Sequence, residues 1–396
     1  MNLELSEEQS AVRDLAASFT DREIVPYAAE WDRAESVDRA IIGKLAKVGF
    51  LGLTIPEEYG GSGGDHLAYC LVLEELGRGD SAVRGIVSVS LGLVGKSVNA
   101  FGTEEQKRHW LPRLTSGEAL GCFALTEPGT GSDAAELTTR AVRDDGGTSR
   151  SKSGGDWLIS GAKTFITNGT WADVALVFAR TGGDAPEQRG HRGITAFLVP
   201  TDLPGFTRTE IHGKLGLRGQ ATAGLTFEDV RVPDSARLGE VGKGFTVAMA
   251  ALAKGRMSVA AGCVGIARAC LEAAVRYAGE REQFGKPIAS HQLVQELLAG
   301  IAVDVEAARL LTWKVADHIE RGLPFATESS VAKLYASEAA VRAANNALQV
   351  FGGYGFIDEY PVGKYLRDAR VMTLYEGTSQ IHQLLIGRAL TGVNAF

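Results

Sequence analysis

The hydrophobic period of this chain changes twice, and those changes limit its fold more than any other feature. From Ser6 to about Leu120 apolar residues recur at helical spacing. Val12, Leu15, Ala16 and Phe19 follow a capping box at Ser6–Gln9, and Val72, Leu73, Leu76, Leu91 and Val94 resume after a turn-rich break at 53–64. Between Gly121 and about Pro233 the pattern becomes short runs with a partial period of two. Val174-Leu176-Phe178 and Ile194-Ala196-Leu198 are the clearest, with Leu225-Phe227 continuing them. From about Gly239 helical spacing returns. The expected fold is a multidomain α+β chain: helical over 1–120, β-rich over 121–233, helical over 234–396. No tandem repeat is visible, and the turn from Gly182 to Gly193 is expected to be mobile.

At 396 residues the chain can build two or three domains with a large core. Apolar residues at 45% and charged residues at 22% fit an ordinary globular protein. A net charge of −7 argues against a nucleic-acid surface or a basic membrane patch. The cysteines (Cys70, Cys122, Cys263, Cys270) form no CxxC pair, which suits buried free thiols in a reducing compartment. The histidines are dispersed, so no metal cluster is expected. The first residues have neither a basic n-region nor an apolar h-region, so no signal peptide is expected, and no uninterrupted apolar span approaches membrane length. These features point to the cytoplasm.

Several stretches have the composition of a site. Glu376-Gly377 stands just before apolar residues at helical spacing (Ile381, Leu384, Leu385, Ala389), with Thr378 or Ser379 as the helix N-cap. An acid there is also what a helix dipole favours without any chemistry. Over Cys263–Arg281 one face carries Cys263, Ile266, Ala267, Cys270, Ala274 and Tyr277, and the phase places Arg281 on it. Such an arginine either snorkels to water or is held for an anion such as phosphate. Leu125–Asp133 resembles a ligand loop, with Pro128, Gly129 and Gly131 exposing backbone N–H groups; an inter-domain turn is its plainer reading. Lys163–Gly169 reads as a strand entering an Asn-Gly hairpin turn. Gln349–Gly355 is half of a dinucleotide fingerprint, but it follows a helical pattern rather than a strand. Gly92–Ser97 fails the phosphate-loop spacing.

Taken together, Leu125–Asp133, Lys163–Gly169, Arg281–Pro287, Gln349–Gly355 and Tyr375–Gln380 resemble the motifs of the FAD-dependent acyl-CoA dehydrogenase family, in that family's order and over nearly the whole chain. The resemblance implies an N-terminal helical domain, a middle β-barrel-like domain and a C-terminal four-helix-bundle-like domain, assembled as a homotetramer of paired dimers. It implies FAD as cofactor. Phe123, Leu125, Thr126, Gly131 and Ser132 would line the flavin, Thr126 at its pyrimidine edge. Phe165, Ile166 and Thr167 would pack beside the ring, with Thr167 near N5, and Thr378, Ser379 and Gln380 would close over it. Arg281, Phe284 and Gln292 would meet the pyrophosphate and adenosine, as would Gln349, Val350, Phe351, Gly352 and Gly353 for the flavin of a neighbouring subunit.

By the same resemblance Glu376 is the base that removes the α-proton of an acyl thioester while the β-hydrogen leaves as hydride to flavin N5. Arg256 orients the base, and Ser132, Gly255 and Gly377 contact substrate. Some members carry the base near position 255, which is glycine here. Many have an acid where this chain has Ala253, and tryptophan where it has Phe165. The loss of the acid opens the choice between coenzyme A and an acyl carrier protein as thioester carrier. The expected product is a trans-2-enoyl thioester and the expected electron acceptor an electron-transfer flavoprotein. The rival readings are a dehydrogenase of a carrier-protein-bound acyl group, a flavin oxidase or monooxygenase on the same fold, and a flavin-binding scaffold without activity.

Overall fold

The computed structural model describes residues 4–144, 155–182 and 190–394; positions 183–189 of the expected mobile turn lie outside the described residues. The helices of the first part are α1 (Glu7–Glu23), α2 (Ala28–Ala34), α3 (Ile41–Lys47), α4 (His66–Gly79), α5 (Ser81–Val89), α6 (Lys96–Phe101) and α7 (Glu104–Thr115). The capping box at the start of α1 forms as read: Ser6 Oγ accepts from Gln9 N, and the Gln9 side chain accepts from Ser6 N. Gly92–Ser97 is no phosphate loop. Most of it lies in a buried π-helical turn, Ser90–Gly95, between α5 and α6.

The strands are β1 (Gly121–Ala124), β2 (Arg140–Asp144), β3 (Asp156–Thr167), β4 (Val174–Arg180), β5 (Ile194–Pro200), β6 (Phe206–Glu210), β7 (Thr222–Val232) and β8 (Arg237–Leu238). They form one sheet in the order β6-β7-β3-β2-β4-β5-β8, with β1 added parallel to β4. The period of two is present in β4 and β5, but it does not separate core from water. Val174, Leu176 and Phe178 join the helical core, whereas Ala175, Val177 and Ala179 join a second core inside the sheet with Trp157, Phe197 and Phe227. Both faces of these strands are therefore buried.

The hairpin expected at Asn168-Gly169 does not form. β3 pairs with β2 and β7, not with the strand that follows it. The physical reason is local: Asn168 takes a left-handed φ of +64°, and its side-chain amide donates to the carbonyls of Ile86 (3.4 Å) and Gly121 (3.2 Å). Those bonds tie the turn to α5 and β1, and the chain crosses the sheet instead of folding back.

The last part contains α8 (Gly244–Glu280), α9 (Gln292–Glu320), α10 (Ala326–Phe351), α11 (Val362–Met372) and α12 (Ser379–Thr391). The 37 residues of α8 make a rod about 55 Å long. It packs against α4 at close range: a Cβ on Gly77 would lie 2.7 Å from Gly262 O, and one on Gly265 would overlap Glu74 O. Two stretches, Ser81–Phe101 and Gly244–Glu280, are long and apolar enough by length and composition to cross a membrane, yet 94% and 72% of the most apolar window in each is buried within the fold. They are core helices whose apolar surface is covered by other helices.

Candidate active site

The turn between α11 and α12 carries Glu376. Thr378 is the N-cap of α12, its hydroxyl accepting from Ile381 N at 3.3 Å. Glu376 itself has a φ of +51°, and Gly377 a φ of +100°. For a non-glycine residue that left-handed conformation costs about 1–2 kcal/mol. Part of the residue's surface is exposed, but carboxyl oxygen Oε2 is sealed from solvent and has no hydrogen-bond partner. Burial pushes the carboxyl pKa up to about 7, against the pull of Arg84, Arg256 and Lys333. A carboxylate ionising near neutrality with a bare oxygen can accept a proton from a bound molecule.

Four helices supply its surroundings. A Cβ at Gly255 on α8 would collide with Glu376 Oε2 and lie 2.8 Å from Leu93 Cδ2, so glycine leaves the space the carboxyl occupies. Arg256 Nε faces Glu376 O at 3.4 Å, and Lys333 Nζ on α10 donates to Gly377 O at 2.7 Å. Arg84 on α5 is the largest fully buried side chain among the described residues; it donates to Tyr375 Oη at 2.5 Å, while its Nε finds no acceptor. Ser88 and Ser258 share a short hydroxyl contact beside them. On α12, His382 is fully buried with its ring facing the backbone of Glu376 and Gly377, and burial drops its pKa to about 3, so it is neutral. Gly377 is needed beside it, since a Cβ there would stand 3.0 Å from His382 Nε2.

The sheet reaches the same region through Phe123, which packs with Val89, Leu93 and Ala251. In the loop after β1, Thr126 O accepts from Thr164 N at 2.9 Å, and Leu125 is buried in the helical core with its carbonyl taken by Lys163 Nζ at 3.1 Å. Gly131 and Ser132 are exposed at the loop's tip. The residue that organises this loop is Glu127. It accepts from Lys163 Nζ (2.8 Å), Thr138 N (2.7 Å) and Thr139 N (2.9 Å), and although burial alone would raise its pKa, these partners hold it at about 2.

On β3 a bulge between Lys163 and Ile166 turns Phe165 outward at a φ of +58°, leaving the residue 68% exposed. Ile166 is turned into the sheet's own core, so its side chain does not pack on the surface as expected. Thr167 Oγ1 donates to Gln220 Oε1 at 3.3 Å.

Arg281 and the 349–355 motif meet elsewhere. Arg281 does not continue the buried face of α8: it ends the helix in extended backbone, is exposed, and places its guanidinium 5.5 Å from the Tyr354 ring. The helix stops one residue before the phase would have buried it. An open cavity of about 450 Å³ is lined there by Arg281, Tyr277, Val350, Phe351, Gly352 and Gly353, among others. Phe284 stands 94% exposed nearby in sequence, Gln292 begins α9, and Gln349 is exposed on α10. This cavity is not at Glu376. The 25 residue steps from Arg256 along α8 to Arg281 span about 37 Å. The two sites are therefore separate within one chain. At the cavity, aromatic rings, bare glycine backbone and an exposed arginine fit an aromatic, phosphate-bearing cofactor.

Arg84, Lys333, Tyr375 and His382 were not picked out from sequence as site residues. A signal existed for two of them: Arg84 interrupts an apolar run, Ala82-Val83-Arg84-Gly85-Ile86-Val87, and Lys333 interrupts the alanine stripe of α10.

Family profiles described as acyl-CoA dehydrogenase N-terminal, middle and C-terminal domains match residues 6–118, 122–230 and 242–391. The chain is 44% identical to an acyl-CoA dehydrogenase of Bacillus subtilis (strain 168) over 98% of its own length and 100% of the relative's. It superposes on butyryl-CoA dehydrogenase from Megasphaera elsdenii with a TM-score of 0.93 and 40% identity, covering 98% and 100% of the two chains. A glutaryl-CoA dehydrogenase from Mycobacterium smegmatis, solved in complex with FADH2, gives 0.92 at 36% identity over 99% and 96%. With a three-domain fold and matches of this extent, the chain belongs to the acyl-CoA dehydrogenase family of oxidoreductases.

Proposed function

We propose that the chain dehydrogenates a short acyl-CoA to its trans-2-enoyl thioester, with Glu376 as the α-proton base. The observation that carries this is the sealed, unpartnered Oε2 of Glu376, raised in pKa by burial and facing Gly255. Oε2 takes the proton from the carbon next to the thioester carbonyl. The backbone N–H of Glu376, which has no acceptor among the described residues, is available to the thioester oxygen as negative charge builds there. Arg256 holds the Glu376 carbonyl and so orients the base. Gly255, which leaves the Glu376 carboxyl its space, and Gly377 would contact the acyl thioester, and Ser132 would meet its arm.

FAD, when bound, supplies the acceptor for the β-hydrogen as hydride. Phe123, Leu125, Thr126, Gly131 and Ser132 would hold it from one side, Leu125 through its backbone. Phe165 and Thr167 would hold it from another, with the Ile166 backbone, and Thr378, Ser379 and Gln380 would close over it. Arg281, Phe284, Gln292 and Gln349–Gly353 would hold the pyrophosphate and adenosine of a neighbouring subunit's FAD, which requires assembly. Large apolar side chains left in water at Phe284, Leu293, Val303 and Phe356 support a homotetramer. An electron-transfer flavoprotein in the cytoplasm completes the reading.

Anaerobic mixing with butyryl-CoA tests it: the flavin absorbance bleaches in the native protein and stays in Glu376→Gln with FAD still bound. Bleaching of the variant at the native rate overturns the role of Glu376. Ala253, buried without charge, leaves an acyl carrier protein as the alternative carrier, and the same assay with carrier-bound substrate decides it.

A second reading of the acyl group rests on Arg84. Its guanidinium is fully buried, bonded to the residue preceding the base, and forms no ion pair among the described residues, although the Glu376 carboxyl feels its charge. An acyl group ending in a carboxylate would supply the missing partner. Faster bleaching with glutaryl-CoA than with butyryl-CoA, reversed in Arg84→Leu, supports that substrate; the opposite preference removes it.

A further inference from the structure

One face of α10 is a stripe of small buried residues, including Ala332, Ala336, Ser337 and Ala340, and a lysine stands within it. Lys333 is fully buried and among the largest such side chains in the protein. Because its neighbours are small, the long side chain can leave α10 and reach the turn after α11. Its ammonium donates to the carbonyl of Gly377 at 2.7 Å. Lys163 and Lys364 meet carboxylates, at 2.8 Å from Glu127 and 2.6 Å from Asp368, whereas buried Lys96 stands 4.0 Å from the centre of the Tyr69 ring with no hydrogen-bond partner. Lys333 has no ion pair among the described residues. Arg256 faces the preceding carbonyl, that of Glu376, from α8. Consecutive carbonyls of the left-handed turn are thus each met by a cation from a different helix.

Resting on the reading of Glu376 as base, we propose that Lys333 is its positioning residue: the ammonium pins the Gly377 carbonyl, fixes the left-handed turn that presents Glu376, and sets a positive charge beside the carboxylate. The mechanism above uses Arg256 for orientation and leaves Lys333 without a task. A buried ammonium satisfied only by a carbonyl is costly, and its place is explained by what it holds.

The groups facing the carboxyl from the packed elements are Arg84 on α5, Arg256 on α8 and Lys333 itself, with Tyr69 on α4, the adjacent Tyr375 and neutral His382. Two cations remain when Lys333 is replaced, so the base still ionises, but at higher pH. A positive charge favours the carboxylate, and its removal moves the acid limb of the rate profile upward.

The experiment uses the FAD-loaded protein and reads flavin reduction by butyryl-CoA under anaerobic conditions from pH 5.5 to 9. Lys333→Met removes both charge and donor; Lys333→Gln keeps a donor and removes the charge. In Lys333→Met the plateau rate falls about tenfold or more while the substrate concentration for half-maximal rate changes little, and the acid limb moves up by about one unit. In Lys333→Gln the limb moves equally, with more of the plateau rate kept. A lysine that only braces α10 would lower melting temperature and leave both readings in place, and that result overturns the proposal. If Lys333→Met fails to retain FAD, an unshifted limb in Lys333→Gln overturns it instead. Glu376→Gln in the same assay separates the two claims: inactivity there with an unchanged Lys333→Met rejects the lysine alone, whereas full activity there rejects the base.

Discussion

Glu127 and Glu376 are the same residue type in two buried settings, and they end at opposite extremes. Glu127, in the loop after β1, is enclosed by the Lys163 ammonium and two backbone N–H groups, and is held ionised well below the usual carboxylate range. Glu376 is faced by three cations, yet none of them donates to its free Oε2, and burial carries its pKa up to about 7. The Lys163 charge in direct contact acts first on Glu127, with hydrogen bonds added to it, whereas Glu376 receives the charge of its cations without a donor. A carboxylate whose lone pairs are filled is an anchor, whereas one left short of donors is reactive.

Four measurements can break or sharpen that contrast. The largest effect is expected for Glu376→Gln, which should lower the rate of flavin reduction by about 10³-fold or more while FAD content is unchanged. Glu127→Gln should do the reverse. It leaves Lys163 buried without its partner and costs about 3–5 kcal/mol of stability, read as a fall in denaturation midpoint with loss of FAD. Gly255→Ala tests whether space as well as charge defines the reactive carboxyl. The added methyl displaces Oε2, and the reduction rate should fall about 10²-fold with melting temperature nearly constant.

The smallest effect is in the pH dependence of stability. The raised pKa of folded Glu376 means the native state binds its proton more tightly than the unfolded chain does. Its contribution is full below about 4.5 and is lost as pH rises towards 7, so the melting temperature of Glu376→Gln should gain on the native protein across that window. Glu127 has the opposite sign: its contribution is present above about 4.5 and lost as pH falls towards 2. Equal slopes for the two sites would erase the contrast.

The contrast also explains what could be read in advance. Three helical or β segments follow from a period that any fold must satisfy, and the turn at Glu376 follows from the N-cap that comes next, so both were visible locally. The partners that distinguish the two glutamates were not. Glu127 meets Lys163, 36 residues away on β3, through a side-chain contact. Arg84 and Lys333 reach the base from helices separated from it by long stretches of chain. The hairpin at Asn168-Gly169 failed for a related reason: a local turn preference lost to distant carbonyls at Ile86 and Gly121. Arg281 falls one residue beyond the end of α8, because phase says where a helix points but not where it ends.

Strands β4 and β5 belong to two interiors at once, one side chain into the helices and the next into the sheet's own core. Slipping either strand by a single position would exchange bulky and small side chains between those interiors and spoil both. The helical and β portions should consequently melt together, in one calorimetric transition with no separately stable middle piece. Excised on its own, that piece would expose the row formed by Val174, Leu176 and Phe178 and gather into aggregates.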